Sequence, residues 1–171
     1  VNESVSVASL TGSRLRYAAV LPGGRSLQMS ARAGDELPLH CTASGKAILA
    51  GMPEEQACEL LGRKPLQDYT PATVTNQRML LNQLSEVRRK GFAVDRGEYE
   101  EGLLCVAVPL QLGEIGFRGA FGVSCPVRRA DDARLEELAA ALLEAGKEIR
   151  QSVAEPAAGA GGYSAEEEPW N

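Results

Sequence analysis

The segment from Leu37 to Ala50, LPLHCTASGKAILA, constrains the chain more than any other stretch. Pro38 disfavours helical geometry at Leu37, so the chain enters the segment extended. A helix is then expected over about 42 to 51, with Thr42 or Ser44 supplying a hydroxyl to its orphan amides. An extended entry that turns at once into a capped helix aims free N–H groups, and the positive end of the helix dipole, at whatever lies beside it. That is a natural place for a small anion or a carbonyl oxygen.

The rest of the chain reads as strands, helices, strands and a final helix. Three short strands of an antiparallel meander are expected over residues 5 to 31. The first begins at Val5-Ser6-Val7 and turns at Thr11-Gly12-Ser13. The second carries Leu15, Tyr17 and Ala19 on one face, and Pro22-Gly23-Gly24 turns it into a third, where Leu27, Met29 and Ala31 alternate with polar residues. After the helix at 42 to 51, a second opens at Pro53 and stops at Gly62. A third runs from Asn76 to Gly91 with Leu80, Leu84 and Val87 on its apolar face. Leu103 to Leu110 is a continuous apolar run of strand length, as in a strand covered on both faces. Gly113 to Gly116 turns the chain into a strand with Phe117, Phe121 and Val123 on one face and Ala120, Gly122 and Ser124 on the other. Leu135, Leu138, Leu142, Ile149 and Val153 recur at helical spacing in the last element. The pattern predicts an α+β layered domain over residues 1–153 and a disordered tail over 154–171, rich in Ala, Gly and Glu.

Charge and cysteine usage narrow the function classes. A net charge of -5 argues against this chain gripping nucleic acid by itself. No apolar run reaches the ~20 residues that span a bilayer, and no secretory signal opens the chain. Cysteines at 41, 58, 105 and 125 show neither disulfide-framework nor CxxC spacing, so a reducing cytoplasm is the simplest setting. The first residue is Val rather than Met, as in a piece of a longer chain. Gly45-Lys46 lacks the other residues of a phosphate loop: His40 stands where a glycine is needed and Ala47 replaces the magnesium-binding hydroxyl. His40 and Cys41 are adjacent in an extended segment and point apart, so they make a poor nucleophile–base pair; His40 reads as a structural donor. A zinc site from His40, Cys41, Cys105 and Cys125 would need tertiary clustering that no ligand spacing supports. No cofactor motif is present.

Three motifs resemble one known family. Residues 37 to 50 are similar to the LPLH-x-TASGKA-x-LA signature of the effector-binding domain of IclR-type bacterial transcription regulators. Gly91-Phe92-Ala93-Val94-Asp95, Glu98, Glu101-Gly102 and Cys105-Val106-Ala107-Val108-Pro109 resemble the family's G-[YF]-x-x-D-x-x-E…G…C-[IV]-A-x-P pattern. Ala120 to Pro126 resembles its A-x-S-[IV]-S-G-P strand and turn. The resemblance spans roughly residues 5 to 153. It implies a GAF-like fold, a curved antiparallel sheet with helices on both faces. It also implies that the full-length regulator carries a winged helix-turn-helix domain, absent from this chain, through which alone it meets DNA, and that it assembles as a homodimer or homotetramer. No membrane partner is implied.

Matching position by position, the resemblance implicates Met29, Leu37, Ala43, Ser44, Asp95, Cys105, Gly122 and Ser124 in effector binding. Each also has a structural reading. Met29 and Leu37 fit a hydrophobic core, Ser44 a helix cap, Asp95 the end of a strand, and Cys105 an inert core position. Gly122 stands where relatives with very small keto-acid effectors carry a second serine, which implies a roomier pocket and a bulkier organic acid or carbonyl effector. The expected class is therefore a small-molecule-sensing regulatory domain, not an enzyme. The alternatives are a GAF-like interaction module with a filled pocket, or an enzyme using Asp95 as acid or base and Cys105 as nucleophile.

Overall fold

The structure is a computed structural model that describes residues 2–25 and 30–154. Strand β1 (Ser4–Thr11) and strand β2 (Arg14–Leu21) form a hairpin turned at Gly12, whose φ of 60° suits a residue without a Cβ. The remaining strands are β3 (Glu36–Leu37), β4 (Ala93–Arg96), β5 (Leu103–Leu112) and β6 (Phe117–Pro126). All pairings are antiparallel, in one curled six-stranded sheet of order β3-β2-β1-β6-β5-β4.

Helices cover both faces. Helix α1 (Ala43–Ala50) packs on β5 and β6 from one side, and α2 (Glu54–Leu61) and α3 (Gln77–Lys90) complete that layer. Helix α4 (Asp132–Ala154) packs on the same two strands from the other side. The apolar run of β5 therefore has a helix on each face. Alternation divides its side chains: Ala107 joins a core with Leu49, Leu80 and Leu84, whereas Leu104, Val106 and Val108 join Leu135, Leu138 and Leu142 of α4. Each fully buried leucine contributes ~1.5–3 kcal/mol. The side chain of Asn76 accepts the Met79 amide at 3.1 Å to start α3, and Gly91 ends it in the left-handed region at φ 83°. No described helix is long and apolar enough to cross a membrane.

Two details differ from the expected pattern. The expected third strand through Leu27, Met29 and Ala31 falls largely on residues 26–29, outside the described residues; Ser30 and Ala31 belong to no strand. The outer edge of β2 is taken instead by Glu36 and Leu37, paired with Arg16 and Leu15. The turn at Gly34, φ 96°, brings that pair in, its amide donating to the Tyr17 carbonyl at 2.8 Å. Ala19 does not share a face with Leu15 and Tyr17. The register shifts between Val7 and Ala8, which pair with Ala19 and Tyr17, so Ala18 is the extra residue and the alternation flips past it. The predicted tail, residues 154–171, lies outside the described residues except for Ala154, the last residue of α4.

Candidate functional site

The sheet register aligns polar and small residues in two rows. In one row Asp95 pairs with Cys105, Cys105 with Ser124, and Ser124 with Ser4. In the next, Ala93 pairs with Ala107, Ala107 with Gly122, and Gly122 with Ser6. Paired residues point to the same side, so both rows face α1. The N-terminal turn of α1 sits above them, and a cavity of about 310 Å³ lies between. Pockets for small organic molecules begin near ~300 Å³.

Leu37, Ala43, Ser44, Asp95, Cys105, Gly122 and Ser124 all line this cavity. Met29 lies outside the described residues. The chain's own geometry sorts their alternative readings. Thr42, not Ser44, is the cap: its hydroxyl accepts the Gly45 amide at 3.1 Å and donates to the Pro38 carbonyl at 2.8 Å. The Ser44 side chain is left on the cavity wall. Leu37 lines the cavity and also belongs to the core beneath α1. At Gly122 an added Cβ would lie 3.3 Å from Ser44 Oγ and 3.1 Å from the Val106 carbonyl oxygen. Space opposite Ser44 therefore depends on the missing side chain.

The cavity's titratable groups are shaped by burial. The Asp95 carboxylate accepts the Glu98 amide at 2.6 Å. Burial pushes its carboxyl up to about 7, against the opposing pull of the Glu98 amide and the Lys46 ammonium. The Cys105 thiol accepts a hydrogen bond from the Ser124 hydroxyl at 3.1 Å and is pushed up to about 12 by burial. A thiol held neutral by burial is a weak nucleophile, the role that the enzyme reading gives Cys105. Burial likewise raises the Tyr17 phenol.

Behind Asp95 lies a buried ion pair. Lys46 Nζ is 2.5 Å from Glu98 Oε1, with side chains 2% and 9% exposed, and it also donates to Gln83 Oε1 at 3.3 Å. Glu98 thus holds Asp95 with its amide and α1 with its carboxylate. The hydroxyls of Thr70 and Thr73 donate to the Gly97 and Glu98 carbonyls at 2.7 and 2.6 Å, fixing the turn from outside. His40 Nε2 donates to the Gln67 carbonyl at 2.8 Å, a structural tie. Cys105 and Cys125 lie on opposite faces of the sheet, and no metal-holding group of His, Cys, Asp or Glu exists among the described residues.

Several lining residues escape sequence reasoning. Ser6 and Tyr17 reach the cavity through strand register, and Tyr99 and Glu100 through the turn after β4. The only sequence signals were the alternation of Ser6 with Val5 and Val7 and the face shared by Leu15 and Tyr17.

A curled antiparallel sheet layered by helices, with a hydroxyl-lined cavity under one helix N-terminus, defines a pocket-bearing class of α+β domain. Residues 1–151 match the family model for "Bacterial transcriptional regulator IclR C-terminal". The chain belongs to the IclR family of bacterial transcriptional regulators and corresponds to their C-terminal, effector-binding domain. It is 37% identical over 123 residues to the acetate operon repressor of Salmonella typhimurium, covering 72% of this chain and 45% of that protein. The crystal structure of the Thermotoga maritima IclR superposes with a TM-score of 0.82 at 34% identity, covering 90% of this chain and 62% of that one. The inducer-binding domain of the PobR transcription factor from Acinetobacter, a double mutant in complex with 3-hydroxybenzoic acid, superposes with a TM-score of 0.75 at 25% identity, covering 86% and 87%. The chain spans about half the length of the curated relatives it matches.

Proposed function

We propose that residues 1–153 form the small-molecule-sensing domain of a DNA-binding transcriptional regulator, and that the cavity beneath α1 takes a small organic acid or carbonyl effector. The observation that carries this reading is the cavity itself. It is open rather than filled by side chains, and its wall of Ser44, Asp95, Cys105 and Ser124 offers hydrogen bonds without an activated nucleophile. The ligand-bound PobR relative, similar over most of this chain, supports it. DNA is met through a separate winged helix-turn-helix domain, and the regulator works as a homodimer or homotetramer. Effector binding changes DNA affinity by the difference in effector affinity between the two states, typically ~1–3 kcal/mol.

A thermal-shift screen of this chain against small organic acids, aldehydes, aromatic acids and acyl esters tests the proposal. A ligand at 100 times its dissociation constant adds about 2.7 kcal/mol, a rise in Tm of ~5–10 °C for a domain of this size. The shift should vanish in Ser44→Leu and Ser124→Leu variants that melt normally without ligand. A panel without any shift would favour a protein-interaction module.

A further inference from the structure

A second cavity, of about 270 Å³, runs along β4, an edge strand of the sheet, and shares no lining residue with the first. Glu86, Val87 and Lys90 lie three and four residues apart on one face of α3 and form one wall. Phe92, Val94 and Arg96 alternate in and just before β4 and form the other. The buried pair Lys46–Glu98 completes the lining. Glu98 is 7% exposed, yet its Oε2 has no hydrogen-bond partner among the described residues. A buried carboxylate oxygen without a donor is costly. An N–H group brought into the cavity beside Glu98 would supply the missing bond.

The charges of the lining disfavour a ligand of one sign. A simple cation would meet Lys46, Lys90 and Arg96, and a simple anion would meet Glu86 and Glu98. Glu86 and Arg96 keep partners of their own, Arg89 at 2.6 Å and Asp132 at 3.1 Å. Lys90 is exposed and makes no ion pair with any described residue. One acceptor in need of a donor and one uncommitted ammonium therefore face the same space. A molecule carrying both charges satisfies both, and Val87, Phe92 and Val94 offer apolar surface to a hydrocarbon side chain. We propose that this cavity is a second small-molecule site, and that it takes a small apolar amino acid in its zwitterionic form. Glu98 receives the ammonium and Lys90 the carboxylate. The site does not depend on the effector-binding reading of the first cavity.

Calorimetric titration of this chain at pH 7 with L-leucine, isocaproate and isopentylamine tests the proposal. The second compound is leucine without its ammonium, and the third is leucine without its carboxylate. L-leucine should bind, and each analogue should bind at least ~10-fold more weakly. Lys90→Met, a substitution at an exposed helix position, should weaken leucine by ~5-fold or more. Amide-resolved NMR then locates the ligand: leucine should shift Glu86, Lys90, Val94 and Glu98 rather than Ser6, Gly122 and Ser124. An analogue that binds as tightly as leucine overturns the zwitterion. An unchanged affinity in Lys90→Met overturns the role of Lys90. No leucine binding, or shifts centred on Ser6, Gly122 and Ser124, overturns the site itself and leaves the effector reading of the first cavity standing.

Discussion

Lys46→Met keeps the length and apolar stem of the side chain while removing the ammonium that faces Glu98. Both partners are nearly inaccessible, at 2% and 9% side-chain exposure, and the bond is short at 2.5 Å. Glu98 Oε2 already lacks a hydrogen bond, so the substitution leaves a buried carboxylate with neither oxygen paired by a side chain. Removing one member of such a pair costs ~3–5 kcal/mol, far more than the pair contributes relative to an apolar replacement. For a domain of this size that is a fall in Tm of ~6–20 °C. Urea unfolding followed by far-UV circular dichroism measures the loss directly. Because the penalty is one of uncompensated charge, Lys46→Met/Glu98→Leu should recover most of it. A single variant within ~1 kcal/mol of native, or a double variant no more stable than the single, would refute the claim that these charges are buried against each other.

Four further outcomes follow from named contacts. In Gly45→Ala the new Cβ overlaps the Leu39 main chain, so unfolding free energy should drop by ~3 kcal/mol, measured by the same urea melts. In Gly122→Ala the neighbours give by a few tenths of an ångström, so stability should change by under ~1.5 kcal/mol while affinity for the larger hits of the ligand screen falls. Asp95 is flanked by Lys46 of α1, Glu98 and Tyr99 after β4, Cys41 before α1, Cys105 of β5 and Tyr17 of β2. Its carboxyl rises from 3.8 to about 7, so the folded state holds a proton that the unfolded chain releases, and the stability this gives, complete below pH 3.8, is lost as pH rises to about 7. Asp95→Asn should flatten that slope in melts between pH 5 and 8. Cys41 and Cys125 are buried with raised thiols, Cys105 is half-buried on the cavity wall with its thiol also raised, and Cys58 is half-buried on α2. Iodoacetamide at pH 8 should therefore modify Cys58 first by mass spectrometry, with Cys41 and Cys125 following only on unfolding.

What could be read from the sequence was local. The extended entry at Pro38, the helix after Thr42, the stop at Gly91 and the apolar run from Leu103 each depend on residues within one element, and each sits where expected. The edge strand Glu36–Leu37 was not legible because two residues carry no periodicity, while Ala31, the described end of the alternation that suggested a strand, lies in none. Ala19 was misread because a bulge reverses alternation without any marker in composition. Thr42 and Ser44 both suit a cap, and the choice between them rests on where the backbone turns helical: Thr42 is still extended at φ -115° and ψ 145° and takes the Gly45 amide, whereas Ser44 already lies within α1. The row of Asp95, Cys105, Ser124 and Ser4 joins residues from three distant segments, and only the register across four strands makes it a surface.

The two glycines of the site act in opposite ways. Gly45 lets the first turn of α1 descend onto Leu39, which sets the height of the helix above the sheet. Gly122 lies below, where a Cβ would approach Ser44 Oγ, and so keeps open the gap that this height leaves. A helix held low by contact at one glycine would close on an ordinary strand; it leaves a cavity here because the strand beneath it is small at Gly122 and Ser124. Lys46 follows Gly45 in the same turn, and its bond to Glu98 fixes α1 to the turn that bears Asp95. The placement of α1 over the cavity therefore rests on two consecutive residues, Gly45 against Leu39 and Lys46 against Glu98, with Ser44 beside them on the cavity wall. That is why so short a motif says so much about the site.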